Sequence, residues 1–95
     1  MPQKRFSKTK RITKTNLENV PGNQPGVYRI KNSKDDVLYV GKAKRNRLDE
    51  RIGEHKGEFP GGTNFQFQPT KTKQSAERLE KQEIKKHNPP YNKDK

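Results

Sequence analysis

Two short apolar and aromatic runs, Gly26-Val27-Tyr28-Arg29-Ile30 and Val37-Leu38-Tyr39-Val40-Gly41, flank the polar cluster Lys31-Asn32-Ser33-Lys34-Asp35-Asp36. Such runs, divided by Asn, Ser and Asp, predict a β-hairpin. Side chains alternate along a strand, so Val27 and Arg29 share one face of this hairpin and Tyr28 and Ile30 the other. Further on, Leu48 and Ile52 lie four apart with His55 three beyond, a narrow stripe that predicts a helix over residues 47–56. Arg47, Arg51 and His55 form a second row beside it. Residues 57–64, with Gly57, Pro60, Gly61 and Gly62, predict a flexible loop, and Phe65-Gln66-Phe67-Gln68 alternates as a third strand with both rings toward the core. Ala76, Leu79 and Ile84 mark the inward side of a helix over residues 74–87, which Asn88-Pro89-Pro90 stops. Residues 16–24 read as a loop into the first strand, and Pro25 holds Gln24 extended. The fold class expected is α/β (α+β): a small three-stranded antiparallel sheet flanked by helices.

Composition changes this picture at the ends. Only 23% of the 95 residues are hydrophobic and the formal net charge is +12, which by itself places a chain near the disordered class. The apolar residues are periodic between Val20 and Ile84, however, so the middle is expected to fold as one small domain. Residues 1–14 carry Lys4, Arg5, Lys8, Lys10, Arg11 and Lys14 with no acid among them. The expected organisation is therefore a flexible basic arm over residues 1–16, a domain over 17–92 and a tail over 93–95.

The charge implies a polyanionic partner, and nucleic acid comes first because each neutralised phosphate releases a condensed counterion. A membrane partner is disfavoured, since no apolar stretch approaches the roughly 20 residues of a spanning helix and no helix pairs a basic face with a broad apolar one. The chain has no Cys, which excludes disulfides and thiolate metal sites. No secretory apolar core follows Met1, so an intracellular setting is expected, cytoplasmic or nucleoid-associated. No small-molecule cofactor is expected.

Glu80 is the most informative single position. It lies four residues from both Ala76 and Ile84, in the middle of the helix's inward stripe, and burying an unpaired carboxylate costs several kcal/mol. A cation should meet it: either an Arg or Lys of the first helix, or a hard divalent ion, since Mg²⁺ takes few protein carboxylates and keeps several waters. Tyr28 and Tyr39 read as core aromatics whose hydroxyls reach water, and His55 and His87 as histidines at helix ends. Lys42 to Asn46 is a basic connection able to meet phosphate. Glu77 and Glu83 read as part of a solvated helix face.

Gly26-Val27-Tyr28, the stretch Arg29 to Leu38, and Tyr39-Val40-Gly41, followed by Arg51, Glu80 and Pro89-Pro90-Tyr91-Asn92, resemble the GIY-YIG nuclease superfamily. Leu17-Glu18-Asn19-Val20-Pro21 and Lys42-Ala43-Lys44 are similar in particular to the amino-terminal GIY-YIG domain of bacterial excinuclease C. The resemblance covers residues 17–92, with two extra residues between Lys42 and Arg51. It implies a DNA endonuclease that uses Mg²⁺ or Mn²⁺ and hydrolyses a phosphodiester by in-line attack of water. It implies Glu80 as metal ligand, Arg51 and Lys42 on the scissile phosphate, and Tyr28 and Tyr39 lining the site. Either tyrosine could be the general base, and a phenol titrating near 10 needs help to lose its proton near neutral pH. His55 falls where family members carry His or Tyr, and Asn92 matches a closing asparagine that orients catalytic groups or contacts the substrate backbone. Lys44 and Arg47 are expected on substrate phosphates, although Arg47 also reads as an ordinary exposed arginine. The alternative is a noncatalytic, basic nucleic-acid-binding protein on a nuclease-like fold. A binder needs only Lys and Arg, so it leaves Tyr28, Tyr39, Arg51, Glu80 and Asn92 without explanation.

Overall fold

The computed structural model describes residues 6–20 and 22–92. Its elements are β1 (Lys10–Arg11), α1 (Lys14–Glu18), β2 (Gly26–Lys31), β3 (Val37–Ala43), α2 (Leu48–Glu54), β4 (Asn64–Pro69), α3 (Lys73–His87) and a 3-10 turn at Pro90–Asn92. The sheet is antiparallel with strand order β1-β4-β2-β3. It therefore has four strands and not the expected three. Helices α1 and α2 pack on the face carrying Tyr28, Ile30, Tyr39 and Phe65, and α3 packs on the face carrying Val27 and Val40.

The β2-β3 hairpin forms because Asn32 organises its own turn. Its Oδ1 accepts from the backbone N–H groups of Lys34 and Asp36, both at 2.9 Å, and Asp35 adopts a left-handed φ of 75° that a short polar side chain tolerates. Between Ile30 and Lys31 the register shifts, so Leu38 has no strand partner of its own and both Leu38 and Tyr39 reach the same core. Tyr28 pairs with Gly41, and a Cβ at Gly41 would lie 2.4 Å from the Tyr28 hydroxyl oxygen. The glycine is thus the space the tyrosine ring occupies. Gly26 is constrained likewise, since its Cβ would sit 2.9 Å from Leu48 and 3.0 Å from the Gln68 carbonyl oxygen.

The expected floppy arm is corrected from residue 6 onward; residues 1–5, and the expected tail at 93–95, lie outside the described residues. Ser7 donates its N–H to Phe67 at 2.8 Å, Ile12 donates to Thr63 at 2.9 Å, and Lys10 and Arg11 pair with Phe65 and Asn64. The reason is that β4 would otherwise present an open edge, and this segment covers it. Ile12 is 4% exposed and joins the main core, while Thr13, also in the expected arm, caps α1, which runs on into the stretch expected as loop.

Helix α3 begins at Thr72, whose side chain accepts from the Ser75 N–H at 3.0 Å, and ends at a left-handed Asn88 followed by two prolines. Its inward side carries Ala76, 1% exposed, and Glu83. Glu83 corrects the expectation of a solvated face: it is 7% exposed and accepts from Arg29 Nε at 2.7 Å. The buried carboxylate that this helix stripe demanded is Glu83, and its cation is a strand arginine. Around the pair, Arg29 also donates to Gln66 and lies 3.7 Å from the centre of the Phe6 ring, and His87 Nε2 is 3.2 Å from Glu83.

Candidate active site

The hairpin and the carboxyl end of α2 bring three predicted residues into contact. Tyr28 Oη and His55 Nε2 are 2.7 Å apart and buried, and the Tyr39 ring lies 4.9 Å from His55 and 6.3 Å from Tyr28, centre to centre. His55 is therefore no surface histidine: it is the residue at which α2 ends, turned inward with 6% exposure. Phe59, from the glycine-rich loop, stacks on both Tyr39 and His55 at 5.0 and 5.2 Å, and Tyr91 stacks on Phe59 from outside at 4.8 Å. The loop expected to be flexible is held here by its one aromatic ring.

Electrostatics decide which way the Tyr28–His55 hydrogen bond runs. Burial pushes the His55 pKa below its ordinary value, with the nearby Glu58 carboxylate opposing, so the ring is neutral near neutral pH. Its Nδ1 faces Glu58 Oε2 at 3.3 Å, close but not aligned as a hydrogen bond. A carboxylate only accepts, so the proton of the neutral ring belongs on Nδ1, and Nε2 accepts from the Tyr28 hydroxyl. Burial, and secondarily Tyr39, push the Tyr28 pKa well above the usual phenol value; the Arg51 guanidinium pulls it down, and the Glu80 charge pushes it up again. Tyr28 is a protonated phenol in the ground state.

Across the sheet edge lies the charged half. Lys42, Lys44, Arg47, Arg51 and Lys73 line a cavity of about 300 Å³ whose apolar lining comes from Ala43 and Ala76. Lys42 Nζ is 4.0 Å from Glu80 and 3.5 Å from Glu77. Arg51 contacts Glu54 at 3.1 Å, and its pKa is raised chiefly by Tyr28. Glu80 itself is half-buried, its side chain 21% exposed, and not enclosed as its place between Ala76 and Ile84 suggests. Among the described residues no group of three or more His, Cys, Asp or Glu side chains is arranged to hold a metal. A single partly exposed carboxylate fits a hard divalent ion that keeps most of its waters and shares the rest with a phosphate.

Asn92 serves the site from behind. Its Oδ1 accepts from Val40 N–H at 2.8 Å and its Nδ2 donates to the Val40 carbonyl at 3.0 Å, so the 3-10 turn clamps β3 between Tyr39 and Gly41. β3 is the edge strand, and this side chain pairs its outer backbone groups as another strand would. Its amide is engaged by the protein and not presented to a substrate. His87 belongs to the Glu83 cluster on the α3 face. Phe59 and Lys73 were missed by sequence reasoning. A lone aromatic among glycines and prolines was the available signal for Phe59, and none marked Lys73.

A two-tyrosine hairpin whose phenols meet a helix-end histidine, beside an arginine-lined cavity and a carboxylate on the covering helix, defines a GIY-YIG nuclease domain. The chain belongs to the UvrC-like GIY-YIG domain family, whose pattern matches residues 24–93. It is 38% identical over 78 residues to the UvrABC system protein C of Bdellovibrio bacteriovorus, an alignment covering 73% of this chain and 12% of that protein. With the UvrABC system protein C of a Geobacter species it shares 34% identity over 92 residues, 85% of this chain and 14% of the relative. The chain thus spans only a small part of these relatives. It is also similar to the N-terminal endonuclease domain of UvrC from Thermotoga maritima bound to its catalytic divalent cation, magnesium, with a TM-score of 0.61, 29% identity and coverage of 83% of this chain and 98% of that one. A point mutant of that domain with one tyrosine changed to phenylalanine, also bound to the catalytic divalent cation, matches with a TM-score of 0.64, 28% identity and coverage of 81% and 90%.

Proposed function

We propose that this domain is a divalent-cation-dependent DNA endonuclease that hydrolyses phosphodiesters by in-line attack of water, with Tyr28 as general base. The observation that carries the reading is the buried 2.7 Å hydrogen bond from Tyr28 to His55, made beside the cation-lined cavity. Burial disfavours a free phenolate, so Tyr28 works as a relay. Its oxygen takes a proton from water as its own proton passes to His55 Nε2, and the imidazolium formed faces the Glu58 carboxylate. The resulting hydroxide attacks phosphorus, and the bond to the 3′ oxygen breaks on the opposite side. Arg51 and Lys42 hold the phosphate and offset the negative charge that builds on it. Glu80 would hold Mg²⁺ or Mn²⁺; such an ion, when bound, supplies positive charge at the leaving oxygen. Tyr39 packs between the relay and Phe59, and Asn92 fixes β3, the strand that carries Tyr39. Lys44 and Arg47 contact the DNA backbone. Such an enzyme belongs with DNA in the cytoplasm or on the nucleoid.

The test is to incubate nicked, branched, single-stranded and duplex DNA with the protein and Mg²⁺ or Mn²⁺, with and without chelator, beside Glu80→Gln. Cleavage that needs the ion and falls by about 100-fold or more in Glu80→Gln, with DNA binding retained, is expected. Unchanged cleavage in the variant refutes the role of Glu80. Binding without cleavage by either protein supports the noncatalytic alternative.

A further inference from the structure

Five cations border one cavity of about 300 Å³, yet a scissile phosphate held by Arg51 and Lys42 engages only two of them. The other three are little engaged within the protein. Lys44 and Lys73 form no ion pair among the described residues, and the Arg47 contact to Glu50 at 2.8 Å joins two half-exposed side chains that a phosphate can displace. Lys73 is also placed against its own helix: it opens α3, which has no acid in its first turn, where the helix dipole disfavours a cation. The cavity brings these charges together from three separate stretches: the strand exit at Lys44, the residue before α2, and the start of α3.

We propose that Lys44, Arg47 and Lys73 form a second phosphate site, which grips the backbone phosphate adjoining the scissile one on the cleaved strand. Each backbone phosphate carries one negative charge, so a scissile phosphate held by two of the five cations leaves the other three to the next phosphate on the same strand. The guanidinium of Arg47 offers two parallel donors to one phosphate, and the two lysines add point charge. Ala43 and Ala76 bring no acid to oppose the anion. The preferred substrate is therefore an internal phosphodiester of a continuous strand, and a linkage lacking a charged neighbour is a poor one. This inference rests on the nuclease reading for the identity of the neighbouring phosphate, but its binding component is measurable without cleavage.

The experiment uses a set of duplex oligonucleotides in which a neutral methylphosphonate replaces one phosphate at a time around the cut, assayed with the unaltered protein, Lys73→Ala and Lys73→Arg. Cleavage with Mg²⁺ and the dissociation constant without metal are both read. At one position flanking the cut, the neutral linkage is expected to weaken binding and kcat/KM of the unaltered protein about tenfold. In Lys73→Ala the same replacement should cost less than about twofold, and Lys73→Arg should restore the sensitivity. Equal losses in all three proteins at every position overturn the second site while leaving the nuclease reading intact. Position-specific coupling in the dissociation constant, with no cleavage by any protein, supports the phosphate site and overturns the nuclease reading instead.

Discussion

Tyr28 has two neighbours that define what it can do. Gly41 lies directly across the hairpin and yields its Cβ position to the ring, and His55 Nε2 lies 2.7 Å from the hydroxyl oxygen. Both motif tyrosines were legible in the sequence as side chains on alternating strand positions, but their shared neighbour His55 read equally well as a surface residue. Its inward turn depends on where α2 ends, and the ring is fixed by Phe59 and by Tyr39 of β3, the latter a contact between segments that pattern alone does not relate. Gly41→Ala should show the dependence directly. Its Cβ, 2.4 Å from the phenol oxygen, forces the ring away, at a cost of about 1–3 kcal/mol for overpacking. Cleavage should drop by about 10²-fold or more as the relay is displaced. Thermal unfolding and a cleavage assay on the same preparation check both; full activity with an unchanged melting temperature would mean the ring tolerates a methyl group there.

Helix α3 divides its acids between two jobs. Glu80 lies 4.0 Å from Lys42 Nζ, whereas Glu83 is buried against β2, where Arg29 and His87 contact it. Periodicity identified the correct helix and the correct need for a cation, but it pointed to Glu80 as the enclosed carboxylate. An inward stripe on a helix is wide, and the strand behind it determines which acid meets a guanidinium. Glu83→Ala strands Arg29, whose side chain is 15% exposed, and should destabilise the domain by about 3–5 kcal/mol in denaturant unfolding. Glu77→Ala removes a half-exposed pair and should cost less than about 1 kcal/mol. Comparable losses from the two would show that the Arg29 pair is not buried in solution.

The whole molecule carries a net charge of +12, and a cluster of its cations opens beside the tyrosines. Binding to duplex DNA should therefore weaken by about 10³-fold between roughly 50 and 200 mM salt if six or more phosphates are contacted. A titration of the dissociation constant against salt measures this, and a nearly flat plot would mean that the charge does not face the DNA. Charge also misled the domain boundaries. Lys10 and Arg11 look like part of a solvated arm because a two-residue strand leaves no periodic signature, yet the open edge of β4 recruits them through backbone pairing to which side-chain charge is irrelevant.

From the amino-acid order alone came the hairpin, the third long strand and both longer helices, because each is written in nearest-neighbour spacing and turn chemistry, whereas the candidate site residues came from the resemblance to a nuclease family. Only the tertiary structure decided that Asn92 pairs the edge strand, that Phe59 wedges the histidine inward, that Glu83 and not Glu80 is sealed beneath α3, and that Lys73 joins the cavity. Phe59 is near His55 in the chain but is held there by stacking on Tyr39; the other facts are likewise contacts between residues far apart in the chain, and what selects them is the competition of whole elements for buried surface and hydrogen-bond partners.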